Sequence, residues 1–173
     1  MIATVLSRLD AAYPSAEDRS KIESYLATVE GRRAALDEVR HQAGPVADRV
    51  MAGIRARYPQ FARYRPTGYD KGHRDMVLLT NMVGNATFLG EHESLDDMFT
   101  HWYKTILKAA HMSPQFMRDT FALWHEALKA CLSPAAWGLV RPHAEHLADV
   151  LTDLPVPARD ETGERRTISS GLM

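Results

Sequence analysis

The sequence predicts an all-α protein, and three observations carry that prediction. Apolar residues recur at intervals of three and four along nearly the whole chain, the spacing of a helix face. Two helix-start signals of the same kind stand at Ser113-Pro114 and Ser133-Pro134. No segment of four or more residues alternates convincingly as a strand.

Ile2 to Ala12 reads as a short helix ended by Tyr13-Pro14. Ser15, followed by Ala16, Glu17 and Asp18, has the form of an N-cap with acids in the first turn. Ile22, Leu26, Val29, Leu36, Val39 and Ala43 continue the period up to Gly44-Pro45. There the chain is expected to break, with Pro45 in the first turn of a new helix carrying Val46, Val50, Ile54 and Tyr58. Gln60 to Tyr69 has Pro, Gly and no period, and reads as a loop. A helix from Lys71 to Phe88, closed near Gly90, follows it. Ser94 is expected to cap the next, from Leu95 to Ala110.

Ser113-Pro114 opens a helix whose Met117, Phe121, Trp124, Leu128 and Cys131 form one apolar stripe. The last helix runs from Ser133-Pro134 to about Leu151, with Pro142 as a place for a bend. The expected total is seven to eight helices without a solenoid repeat. One domain spans residues 1–154, its first 30 residues a helical arm. Residues 155–173, polar and with two prolines, read as a flexible tail. Helices in this number suit a globin arrangement around a planar ligand or a bundle.

Composition excludes several functions. With 21 basic and 22 acidic residues the net charge is -1, and no basic run tracks phosphates or an anionic membrane. The single cysteine, Cys131, excludes an internal disulfide and fits a reducing cytoplasm. No apolar run reaches the roughly 18 residues a membrane span needs. No signal peptide opens the chain. A phosphate loop, a GxGxxG and an ordered Ser–His–Asp set are all missing from the sequence, which gives no basis for catalysis.

The informative stretch is KGHRDMVLLTNMVGNATFLGE, where an apolar helix opens on Lys71, His73, Arg74 and Asp75. A solvated cap is the plain explanation, since a carboxylate in a first turn is favoured by the helix dipole. The order of the surrounding motifs supports another. Arg74-Asp75, then Ala86-Thr87-Phe88-Leu89-Gly90, Leu95-Asp96-Asp97 and Ser113-Pro114-Gln115-Phe116-Met117 occur in sequence. In that order they resemble the phycobiliproteins, globin-fold light-harvesting subunits that carry a linear tetrapyrrole. The resemblance covers roughly residues 22–151 and is strongest over 71–132.

The resemblance implies a bilin site, a globin core and an N-terminal helical arm through which two subunits pair. Asp75 matches the carboxylate that accepts the central pyrrole N–H groups. Arg74 and Lys71 match the cations that pair with the propionates, Arg as a fork and Lys as a point charge. Gly72, beside His73, stands at the position of the chromophore-bearing cysteine, so the usual thioether cannot form. Met98, Phe116 and Met117 occupy positions where the light-harvesting proteins place aromatics around the pigment. The chain most resembles globins found beside bilin-making enzymes in bacteria that do not photosynthesise. A non-covalent ligand of the biliverdin or phycocyanobilin type is therefore expected, with a carrier or scaffold role and bilin-synthesis enzymes as partners.

Haem is the competing ligand, because the parent fold is a haem fold. By spacing, the proximal position falls on Leu107, while His101, His111 and His125 lie on either side of it. A dimeric scaffold globin without pigment is the other alternative. His143, His146 and Asp149 share one helix face and are read as polar surface rather than as metal ligands.

Overall fold

The structure is a computed structural model that describes residues 13–61, 67–110 and 112–153, without the side chains of Ser94 and Met98. The helix expected over residues 2–12, His111 and the tail lie outside the described residues. Among the described residues the secondary structure is helical throughout, and no helix is long and apolar enough to cross a membrane.

Helix α1, Ala16–Ala27, opens on the expected cap, elaborated into a capping box. The Asp18 amide donates to Ser15 Oγ at 3.1 Å, and the Ser15 amide donates to the Asp18 carboxylate. None of α1 is buried, so it leans on the core only at its end. There Arg32, itself buried, donates to the carbonyls of Tyr25 and Phe88 at 2.8 Å each and lies over the Tyr25 ring. A cation at the C-terminal carbonyls of two helices is favoured by both dipoles.

Helix α2, Val29–Arg57, corrects the expected break at Gly44-Pro45: the helix runs straight through Pro45, and the interruption falls earlier, at Thr28. Pro45 is exposed, so the His41 carbonyl that loses its amide donor is on the water side. The inner face of the same stretch buries Ala43, Val46, Ala47 and Val50, and that burial holds the helix together across the proline.

Helix α3, Gly68–Leu89, begins three residues before the expected start at Lys71. Gly90 closes it in the left-handed conformation at φ 72°, as the sequence indicated. The chain then makes one short turn, α4 at Glu93–Leu95, a π-turn at Asp96–Thr100 and α5 at His101–Ala109. Ser94 lies inside α4 rather than capping a helix, and the expected single helix from Leu95 is interrupted. Side chains one residue too far along compete for its carbonyls. Thr100 Oγ1 reaches the Leu95 carbonyl and His101 Nδ1 the Asp96 carbonyl, both five residues back.

Helices α6, Pro114–Cys131, and α7, Pro134–Thr152, start at Ser113 and Ser133, whose hydroxyls accept from the amides of Phe116 and Ala136. Helix α7 continues through the exposed Pro142 for the reason given for Pro45. Helices α3, α6 and α7 pack on α2, and α7 packs also on α3 and α6, with Trp124 in the core, 0% exposed and donating to Thr80 Oγ1 at 2.9 Å. Cys131 is half-buried at the edge of this core, less enclosed than its stripe suggested.

Candidate functional site

The early start of α3 changes the meaning of the polar cluster. Asp75 now lies about two turns inside the helix, beyond the first turn where the dipole acts. Capping therefore does not account for it. Asp75 is half-buried, and the Tyr103 hydroxyl, presented from α5, donates to its Oδ2 at 3.1 Å. Burial raises the pKa of Asp75, against the hydrogen bond from Tyr103 and the charges of Arg74 and Lys71. Tyr103, itself buried, is pushed well above its ordinary range by burial and by the Asp75 charge. The pair joins the Asp75 carboxyl group to a firm hydroxyl donor, with Asp75 Oδ1 taking no bond among the described residues.

Exposed side chains stand near Asp75 along α3 and beside Tyr103 along α5. Lys71 and Arg74 stand in solvent and make no ion pair among the described residues. Leu78, one turn further along α3, is 39% exposed. Trp102 and Ile106, one turn apart on α5, are 58% and 41% exposed, although Tyr103 and Leu107 on the same helix are buried. The Trp102 and Tyr103 ring centroids are 6.3 Å apart. An anion, two free cations and large uncovered apolar groups fit a ligand with a cationic centre, two acids and flat apolar rings. Trp102, Ile106 and Tyr103 were missed from sequence; the signal was an apolar pair one turn apart on a helix whose core face was already filled.

The remaining expected site residues divide between other places. His73 turns to α2, with Nε2 3.1 Å from Asp48 Oδ1. A Cβ on Gly72 would meet the Met51 side chain at 3.0 Å, so this position too faces α2, within reach of a flexible neighbour. Phe116 packs with Tyr58 and Phe61, at centroid distances of 5.1 and 5.2 Å. Met117 is a core residue, 4% exposed. The Met98 side chain lies outside the described residues. The structure thus brings Lys71, Arg74 and Asp75 to one surface, and Gly72 and His73 to the α2 side of the same helix.

The haem candidates find other roles. Leu107 is buried, His101 is exposed and bonded to its own turn, and His125 lies between Trp124 and Trp137. His143 is not on a polar surface as expected: it is 8% exposed, with Nδ1 3.1 Å from His92 Nδ1. Of that face Asp149 is exposed and His146 half-buried. Among the described residues no three His, Cys, Asp or Glu side chains are disposed to hold a metal ion.

Two surface grooves lie elsewhere. One of about 640 Å³ runs between α2 and the C-terminal half of α3, floored by Leu36, Met82, Phe88, Leu95 and Phe99 and edged by Arg33 and Arg40. The other, about 690 Å³, is a shallow polar recess over Gly53, Arg57 and Asp119. Neither is lined by Lys71, Arg74 or Asp75. In a comparison with protein families, the model described as "Phycobilisome protein" matches residues 5–151. No curated protein matches the chain.

Proposed function

The chain belongs to the phycobilisome protein family, globin-like all-α proteins that as a class bind bilins, and from that membership we propose that it holds a linear tetrapyrrole non-covalently at Asp75. The observation that carries the proposal is the half-buried Asp75–Tyr103 pair, flanked by unpaired Lys71 and Arg74. Asp75 Oδ1 accepts pyrrole N–H groups, and Lys71 and Arg74 meet the propionates. Gly72, His73, Met98, Phe116 and Met117 complete the proposed set by analogy of position.

The pigment is of the biliverdin or phycocyanobilin type. The protein handles it beside bilin-making enzymes, in the cytoplasm of a non-photosynthetic bacterium, and we assign it no catalytic residue. The test is a titration of the purified protein with biliverdin, phycocyanobilin and haem, followed by absorption. A bilin band that sharpens and shifts to the red at one equivalent supports the proposal. An intense Soret band in its place, lost in His101→Ala or His111→Ala, would make haem the ligand.

Gly72 removes the thiol from the attachment position, and Cys131 lies on α6. The pigment is therefore expected to separate from the chain in acid urea. A zinc-fluorescent protein band on a denaturing gel would show a covalent bond and contradict this.

The groove between α2 and α3 favours a second element of the proposal, a homodimer through the N-terminal arm. Leu89, which lines it, is 37% exposed, and on the arm Tyr13 and Leu26 are 99% and 57% exposed. Seating the arm of one subunit in the groove of the other buries both surfaces. Deleting the residues before Ser20 is expected to halve the mass seen by light scattering. An unchanged mass would exclude the arm as the dimer contact.

A further inference from the structure

Three histidines meet where the link after α3 crosses α7. His143 Nδ1 lies 3.1 Å from His92 Nδ1, and the His92 ring is 4.5 Å, centroid to centroid, from both His143 and His146. His146 Nε2 bridges both carboxylate oxygens of Asp96 at 2.9 and 3.0 Å. His92 and Asp96 bracket α4: the His92 carbonyl accepts the Asp96 amide, and the Asp96 carbonyl accepts the His101 amide to form the π-turn. The cluster thus fastens the start of the α4–π-turn–α5 unit to α7. That unit carries Tyr103, which holds Asp75.

We propose that this cluster is a proton-operated latch: it is closed when His92 and His143 share a single proton, and a second proton releases the α4–π-turn unit and with it Tyr103. Two ring nitrogens 3.1 Å apart leave room for one hydrogen between them. A second proton on the facing Nδ1 would set two N–H groups face to face, one of them on a ring made cationic. His143 is affected by burial, His92 and His146; His92 by burial, His146, Asp96 and Glu93.

The direction follows from the balance of protons. Burial and its two neighbours lower the pKa of His143 to about 4, and burial lowers that of His92. The closed latch therefore binds fewer protons than the open one, whose imidazoles titrate at about 6.5. It is fully favoured above that range and loses its advantage as pH falls from there toward 4. A metal ion is not the natural occupant, since no three of these donors converge on one point. The consequence for pigment rests on the function proposed above, but the latch itself does not.

Amide hydrogen exchange of the full chain, corrected for intrinsic pH dependence, tests the latch without any pigment. Between about pH 7.5 and 5.5, residues 92–103 are expected to lose protection by about tenfold or more, while α2 and α6 change little. His143→Gln and His92→Gln should each abolish that difference; His92 is the more exposed, so its variant decides if the other fails to fold. A wild-type segment whose protection is unchanged over this range would overturn the latch, as would a response that persists in His92→Gln. Zinc at one equivalent provides a separate control: if it protects the segment and chelation reverses this, the cluster is a metal site. Biliverdin affinity should fall at the lower pH more in wild type than in His92→Gln. Absence of pigment binding at either pH, with the exchange result intact, would defeat the proposed function and leave the latch standing.

Discussion

Trp124→Ala is expected to cost about 3–5 kcal/mol of folding stability, the largest single loss in the molecule. Trp124 is 0% exposed at the junction of α2, α3, α6 and α7, where Phe121 meets it edge-on at 5.7 Å. Removing the indole leaves a void that helices this long cannot close by local adjustment. It also strips the buried Thr80 hydroxyl of the donor it receives at 2.9 Å, which adds roughly 1 kcal/mol. Thr80→Val separates the two contributions, because it keeps the volume and leaves the indole N–H without an acceptor. That variant should lose about 1–3 kcal/mol. Urea denaturation followed by circular dichroism gives both values. A loss below about 1 kcal/mol in Trp124→Ala would mean the indole is not the centre of the core.

Much of this core could be read before the structure, because its signals are local. Ser15, Ser113 and Ser133 each cap the helix that follows, and Gly90 closes α3 because a residue at φ 72° has to follow the last turn. Phe121, Trp124 and Leu128 fell on one stripe and are buried together. Pro45 misled for a physical reason. A proline breaks a helix only when nothing repays the lost hydrogen bond, and the sequence could not show four buried residues on the far face. The π-turn was equally invisible, since it arises from Thr100 and His101 competing for carbonyls inside an otherwise ordinary helical pattern.

The candidate site was legible only in part. The cluster Lys71, Arg74 and Asp75 stood out as charge on an apolar helix, but its partner Tyr103 is 28 residues away and depends on how α5 crosses α3. Gly72 and His73 are adjacent to that cluster in sequence, yet they turn to Met51 and Asp48 because consecutive helix positions face different neighbours. His143 was hidden by the same kind of distance. Its companion His92 is 51 residues back, in a link with no periodicity to predict where it would lie.

Asp75→Asn is expected to weaken the binding of a bilin by roughly tenfold to a hundredfold and to shift its absorption to the blue with less red intensity. In the function proposed above, the carboxylate would stabilise a protonated tetrapyrrole through charge-assisted contacts of about 1.5–3 kcal/mol, and the amide keeps the shape while removing the charge. Tyr103 still donates to the amide oxygen, so the variant should fold normally. Tyr103→Phe probes the other half of the pair: losing that donor leaves Asp75 with burial still raising its pKa and one fewer group lowering it. Its bilin affinity should therefore fall at a higher pH, as acid protonates the carboxylate, than in wild type. The sign follows because only ionised Asp75 can accept from a cationic pigment. Arg74→Ala acts differently, reducing affinity through a propionate while leaving the band position nearly fixed. If Asp75 were a simple helix-end charge, neither Asp75→Asn nor Arg74→Ala would alter bilin binding, and only a few tenths to about 1 kcal/mol of stability would move. Titrating the variants against biliverdin separates these cases. Affinity and spectra unchanged from wild type in both Asp75→Asn and Arg74→Ala would remove Asp75 from the site.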